Sequence, residues 1–239
     1  MSFIEVLSIN DKEVLSLVGA GGKTSLLLEI AEELRENRRI LVTTTTKIYV
    51  PSFEKIDGLF INNFEEVPKV PGAYVYAGGL NDEKKLLPVE VKERSILIKT
   101  FDTTLIEADG AKRKLLKGWK EGEPVIDENT TITLGVFNIK ALGLKICEEN
   151  IHRVKEFIKV TGAREGEQVK KEHIKKLILH PMGMFKGFLG KRVLFINGME
   201  EEEDWNQANT LTTSLLEEDK YFLSNIIGGS IKNKIFKAM

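Results

Sequence analysis

Residues 13–46 read EVLSLVGAGGKTSLLLEIAEELRENRRILVTTTT, and three patterns follow one another within them. EVLSLVG at 13–19 is a short apolar run of strand type, LLLEIAEELRENRR at 26–39 is helical in period, and RILVTTTT at 39–46 returns to strand type. In the middle segment Leu27, Ile30, Ala31 and Leu34 form one stripe opposed by Glu29, Glu32, Glu33 and Arg35. A helix patterned in this way is expected to lie on a sheet. A strand–helix–strand unit this short implies a right-handed parallel crossover, so the chain opens as βαβ.

Outward from that unit, further strands are expected at GLFIN 58–62, AYVYA 73–77, TTLIEA 103–108, TITLGVF 131–137, RVLFIN 192–197 and YFLSNIIG 221–228. Helices are expected at 149–160, 168–180 and 204–217. Alternation of this kind indicates an α/β fold with a mainly parallel sheet flanked by helices. Residues 78–100 show little periodicity beyond a short helix and read as an insertion or lid. With 239 residues, 42% of them hydrophobic, the chain is expected to form one domain over 1–239.

Lys plus Arg number 35 against 36 Asp plus Glu, so no global basic field exists to hold nucleic acid. Cys147 is the single cysteine, which excludes an internal disulfide and any multi-cysteine metal site. The acidic start MSFIEVLSINDKEV is unlike a signal peptide, and the longest apolar runs fall far short of the roughly twenty residues of a membrane span. A soluble cytoplasmic protein with no membrane partner is the expectation.

Gly19-Ala20-Gly21-Gly22-Lys23-Thr24 joins the first strand to the first helix, and Ser25 follows. Glycines let successive N–H groups point inward, and the helix N-terminus adds positive potential, so the loop can cradle phosphate oxygens. Lys23 is expected to reach the β- and γ-phosphates of ATP or GTP, and the Thr24 hydroxyl to ligate Mg²⁺. The fold is then P-loop NTPase-like. The spacing GxxxxGK[ST] asks for glycine where Leu17 stands, and the second signature lysine of dimerising ATPases is replaced by Val18, so the loop is a variant. A ligand-free glycine turn is the plainer alternative.

TTLIEADGA at 103–111 ends a hydrophobic strand in acids and glycine, the pattern of a Walker B strand. Either Glu107 or Asp109 is expected to face Mg²⁺ or orient the nucleophile, and the Gly110 N–H to contact a γ-phosphate. An ordinary strand-end turn capped by Asp109 is the alternative. The second strand ends in Thr43 to Thr46 and Lys47, at the edge where parallel sheets bind ligands. Thr45, Thr46 and Lys47 are the better ligand candidates, Thr43 and Thr44 reading equally as strand formers. Lys112, Arg113, Lys114, Lys117 and Lys120 cluster after the acids and could hold an anionic substrate or simply be solvated. Leu115, Leu116 and Trp119 among them look like packing. Glu123 is a candidate base or ligand on a loop.

Together VGAGGKTSLL, VTTTTKI, IEADGAKRKLLKGWKEGEPVI and HR at 152–153 resemble the YqeC family of selenium-dependent hydroxylase accessory proteins, over most of the chain. The resemblance implies a P-loop NTPase-like protein that serves maturation of molybdenum hydroxylases needing a labile selenium-containing cofactor. The implied partners are such a hydroxylase or its cofactor-maturation proteins. By position it points to Gly19 through Thr24, Thr43 through Lys47, Glu107, Asp109, Gly110 and Glu123, and draws attention to His152, Arg153 and Lys186.

One departure concerns the base. FING at 195–198 stands where such proteins often read N-K-x-[DE], and Gly198 takes the place of the lysine. Asn197 could still meet a base edge and Glu200 a guanine N–H, while the cation that packs over a purine is lost. His152, His173 and His180 have no close pairing in sequence and give weak support to a transition-metal site.

The leading reading is therefore a Mg²⁺-dependent NTPase or phosphotransferase that binds a nucleoside triphosphate, with Lys23, Glu107 and Asp109 as catalytic candidates. A small-molecule kinase is the rival enzyme, with 78–100 and 112–120 as lid and clamp and only Arg94 and Arg113 available to a γ-phosphate. A nucleotide-gated chaperone or scaffold that does not hydrolyse its ligand is the third reading.

Overall fold

Nine of the apolar segments assemble into one sheet: β1 (Val14–Gly19), β2 (Arg39–Thr44), β3 (Gly58–Ile61), β4 (Gly72–Ala77), β5 (Thr103–Glu107), β6 (Ile132–Asn138), β7 (Lys191–Asn197), β8 (Asn225–Ser230) and β9 (Ile235–Ala238). The computed structural model describes the backbone of residues 1–239 and the side chains of all but Phe53. The sheet order is β9-β8-β7-β6-β1-β5-β2-β4-β3. Every neighbouring pair is parallel except β8 with the edge strand β9. The helices are α1 (Phe3–Leu7), α2 (Lys23–Leu34), α3 (Val91–Thr100), α4 (Val154–Thr161), α5 (Lys171–Leu179) and α6 (Glu202–Glu218).

Both faces of the sheet are covered, which is why its central strands read as continuous apolar runs. Leu15 and Leu17 of β1 pack on one face with Leu27, Ile30 and Ala31 of α2, and with Phe3 of α1. Val18, one position out of phase, enters the opposite layer with Phe157 of α4, Ile174 of α5 and Leu211 of α6. Leu97 and Ile98 of α3 meet Tyr74, Tyr76 and Ile106 in a third cluster. Each large aliphatic side chain fully buried in these layers contributes about 1.5–3 kcal/mol. The expected α/β architecture with a mainly parallel sheet is observed.

Several boundaries differ from expectation. Helix α2 begins at Lys23 and ends at Leu34, not at 39. Asn37 and Arg38 turn back to the Leu34 carbonyl, and Arg39 is drawn into β2 by Asp102, which accepts from its backbone N–H and its guanidinium. Glu29, expected on the solvent face of that helix, is buried 3.3 Å from Lys234. Residues 151–152 are extended against 116–117, so α4 starts only at Val154, after Arg153 in a left-handed conformation. Residues 221–224 form a turn held by Asp219, and β8 starts at Asn225. Within 78–100, short strands at 79–80 and 85–87 join 48–49 in a three-stranded sheet, and α3 occupies 91–100. The sequence reading did not anticipate α1, whose Phe3 and Ile4 amides donate to the Glu33 carboxylate, or β9.

Candidate functional site

From β1 the chain passes through α2 to β2 on one side, whereas β6, β7 and β8 extend the sheet on the other. A crevice opens outside the carboxyl ends of parallel strands at such a reversal. Gly19, Glu107, Thr44, Asn138, Asn197 and Ser230 are the last residues of β1, β5, β2, β6, β7 and β8, so all six stand along this edge.

The glycine loop is braced from beneath and from both sides. The Gly19 N–H donates to Asp109 Oδ2 at 3.0 Å, Ala20 to the Val136 carbonyl at 2.9 Å, and Gly21 to the Lys114 carbonyl at 3.1 Å. Asn197 Nδ2 donates to the Gly21 carbonyl at 2.9 Å. Gly22, the N-cap of α2, has φ +140°, and a Cβ there would lie 2.5 Å from Asn197 Nδ2, so only glycine fits. The amides of Gly22, Lys23 and Thr24 find no acceptor among the described residues. They are the unfilled donors of the helix N-terminus, facing the crevice. Ser25 is exposed on the same first turn.

Below the loop lies a buried chain of charges. Lys23 Nζ donates to the Gly19 carbonyl at 2.7 Å and sits 2.9 Å from Asp109 Oδ1 and 3.7 Å from Glu107 Oε1. Asp109 Oδ1 makes no hydrogen bond in this geometry, the ammonium approaching it off the hydrogen-bonding direction. Asp109 Oδ2 accepts from Trp119 Nε1 at 2.6 Å and lies 3.2 Å from Lys117 Nζ. Lys117 also donates to the Gly110 carbonyl and meets Glu123, which in turn is paired with Arg153. Glu107 joins this chain only through its longer contact with Lys23, and its Oε2 accepts from Thr24 Oγ1 at 2.6 Å.

Desolvation would lower the Lys23 pKa, but Asp109 and Glu107 outweigh it and hold the ammonium above its usual range. Burial would raise the Asp109 carboxyl, and Lys23 and Lys117 overcome it and hold the group below the usual range. Lys117 is pushed down to about 8 by burial, against the pull of Asp109 and with repulsion from Lys23. His152 falls to about 4, through burial and the nearby Lys117, Lys112 and Lys114.

The threonine run is held in several directions. Thr43 donates to the Tyr76 carbonyl, Thr44 to the Glu107 carbonyl, and Thr45 to the Val125 carbonyl. The Thr46 amide donates to Thr44 Oγ1, and Lys47 is exposed beyond it. Gly110 faces open space. Lys186 reaches the carbonyls of Lys120 and Glu121. Arg94 is buried against Asp127 at 2.6 Å, away from the loop. Along α2 a groove of ≈ 570 Å³ runs from Ser52 and Lys55, past Ser25 and Glu29, to Asn197 and Glu200.

Sequence reasoning missed three members of this site. Lys117, expected within a cluster that holds an anion or is solvated, instead has no exposed side-chain surface. Its position between Leu116 and Trp119, both buried, is the signal that could have found it. Trp119 reads as packing but also supplies an indole N–H to Asp109. Asn138 was unremarked, and its side chain occupies the space beside Gly198. Among the described residues no group of three or more His, Cys, Asp or Glu side chains is placed to hold a metal, and no helix is long and apolar enough to cross a membrane.

The fold and this edge define an α/β protein with a glycine loop, a buried lysine and an acid-bearing neighbouring strand at the switch point of a parallel sheet. The profile described as "YqeC protein" matches residues 15–155, the stretch that carries the loop, both acids, Lys117, Glu123 and Arg153. The chain is also 31% identical over 215 residues to "Uncharacterized protein YqeC" of Escherichia coli (strain K12), covering 86% of this chain and 84% of that protein. The chain belongs to the YqeC family.

Proposed function

We propose that the protein is a Mg²⁺-dependent P-loop NTPase or phosphotransferase. The observation that carries this reading is the placement of Lys23, Thr24 and Glu107 at one strand edge, beneath free amides of a helix N-terminus. Mg²⁺ takes one or two protein oxygens and fills its octahedron with phosphate oxygens and water. Thr24 Oγ1 and Glu107 Oε2, 2.6 Å apart, are such an oxygen pair and fit the ion. Bound there, the ion would neutralise charge on the β- and γ-phosphates. Of the two acids we assign the metal to Glu107, because both Asp109 oxygens already face ammonium groups.

Asp109 then acts as a positioning residue, holding the Gly19 amide and Lys23 under the loop. Lys23 exchanges the Gly19 carbonyl for phosphate oxygens, a stronger charge-assisted partner. The amides of Gly22, Lys23 and Thr24 are already aimed, so little reorganisation accompanies phosphate binding. The groove beside Asn197 and Glu200 offers the volume for a nucleobase, ATP or GTP. As a member of the YqeC family carrying the TTTTK and EADGA segments, the protein is further proposed to assist maturation of selenium-dependent molybdenum hydroxylases.

Calorimetric titration with ATP and with GTP in the presence of Mg²⁺, followed by phosphate release, tests the site. Saturable binding that Lys23→Ala weakens by about a hundredfold supports it. Unchanged affinity in a folded Lys23→Ala protein overturns it. Phosphate release separates turnover from nucleotide-gated scaffolding. For the maturation role, deleting the gene should lower hydroxylase activity per molecule of hydroxylase, and unchanged specific activity removes that role.

A further inference from the structure

The five cations of 112–120 do not act as one cluster. Lys117 is buried under the glycine loop, and Lys114 donates to the Glu148 carbonyl. Lys112 and Arg113, by contrast, are exposed and sit in consecutive left-handed conformations, φ 49° and 62°. Two adjacent non-glycine residues in that region are strained by about 1–2 kcal/mol each, which marks a segment held in place by its surroundings. One holder is the Gly21 N–H bond to the Lys114 carbonyl, which ties the segment to the glycine loop.

The left-handed pair sends Arg113 over the ring of Tyr49, 4.7 Å from its centroid. Lys85, from the small three-stranded sheet, lies 5.0 Å from the same centroid. Lys47 precedes the Ile48–Tyr49 strand, three residues after Thr44. Among the described residues Lys47, Lys112 and Arg113 have no carboxylate within ion-pair distance. Glu83 is bonded to Lys85 at 2.6 Å, and Lys47 and Lys112 add to the pull of Lys85 that keeps its carboxyl below the usual range. Beside this shelf the space over Gly110 is open.

We propose that Lys47, Lys85, Lys112 and Arg113, gathered around Tyr49, bind a small second substrate carrying two or more phosphate or carboxylate groups. The assignment rests on the nucleotide reading above and adds the chemical class of the acceptor. The shelf lies at Tyr49 beyond the end of β2, whereas the groove runs along α2 from Ser52 and Lys55 to Asn197 and Ser230 and includes none of the four cations, so the acceptor would occupy a place distinct from the nucleotide. With Arg113 and Lys85 on one ring, Lys47 two residues before that ring and Lys112 next to Arg113, the cations span too little surface for an extended acidic peptide, which favours a compact polyanion.

The test is amide chemical-shift mapping on the full chain, titrated separately with citrate and with inorganic pyrophosphate. Wild type, Lys23→Ala and the triple variant Lys47→Ala/Lys112→Ala/Arg113→Ala are compared. The expected result is saturable shifts at 47–49 and 111–113 in both wild type and Lys23→Ala, with affinity about tenfold weaker in the triple variant while its other amides keep their positions. Citrate response alone identifies a carboxylate ligand, pyrophosphate response alone a phosphate one, and either sustains the proposal. Shifts confined to 19–24 and lost in Lys23→Ala overturn it, as does a response to an acidic peptide with none to either small anion. Titration with MgATP and MgGTP in the same spectra reads amides 19–24, so failure of the nucleotide site is seen separately from failure of the shelf.

Discussion

Lys117 Nζ lies 3.2 Å from Asp109 Oδ2, and neither side chain retains any exposed surface. Two charges so enclosed are tolerated because each is satisfied several times over: Asp109 by Gly19, Trp119 and Lys23, Lys117 by Gly110 and Glu123. Removing one member of such a pair strands the other without solvent. Lys117→Met is expected to lower unfolding stability by about 3 kcal/mol, and the double variant with Asp109→Asn to lose less than the sum of the single changes. Urea denaturation of the four proteins measures both, and strict additivity would show that the pair is not coupled.

Thr24 and Glu107 make a different kind of contact, a hydroxyl-to-carboxylate bond that a metal ion can replace by taking both oxygens as ligands. Glu107→Gln keeps shape and hydrogen bonding but removes the charge. The Mg²⁺ concentration needed for half-maximal nucleotide binding should rise about tenfold, with a smaller loss of thermal stability than Asp109→Asn causes, since Glu107 meets Lys23 only at 3.7 Å. Asp109→Asn should instead reduce stability markedly, because its carboxylate is buried between two ammoniums. A magnesium requirement that moves with Asp109 and not with Glu107 reverses the assignment of the two acids.

Much of the central architecture was legible because parallel strands buried on both faces leave apolar runs no other element explains, as at Val14–Gly19 and Ile132–Asn138. The glycine loop was legible for the same local reason: its conformation needs residues without a Cβ. Lys117 was not, because lysine in a basic stretch usually points to water, and its burial depends on Asp109 and Glu123 arriving from elsewhere. Nor was the difference in contacts between Glu107 and Asp109, two positions apart on one chain. Their separation comes from Trp119 and Gly19, which engage only the second. The short helix α1 escaped notice because five residues carry too little periodicity, its anchorage coming from Glu33 on another element.

Gly198 explains in steric terms why a lysine is absent after Asn197. Its φ is +82°, and a Cβ would lie 2.4 Å from Asn138 Oδ1. Gly198→Ala should therefore cost about 1–2 kcal/mol, readable as a lower Tm, and Gly198→Lys should cost at least as much without creating guanine preference. A Gly198→Lys protein of undiminished Tm that gains selectivity for GTP over ATP would show that the edge adapts and that Asn138 is no barrier.

His152 gives the chain an acid sensitivity of defined sign. Burial, with Lys117, Lys112 and Lys114 nearby and only Asp109 opposing them, holds its pKa at about 4, against 6.5 for an unperturbed imidazole. Between those values the unfolded chain binds a proton that the folded one refuses, so the stability of the native state falls as pH drops from about 6.5 towards 4. Above 6.5 both states carry a neutral ring and the contribution is flat. His152→Gln removes the titration while keeping a polar side chain of similar length. Its Tm should decline less steeply than that of the wild type across this window and run parallel to it between pH 7 and 8. Identical slopes in the acid window would mean that the ring is protonated in the folded protein at the same pH as in the unfolded chain, and that the surrounding lysines do not bear on it.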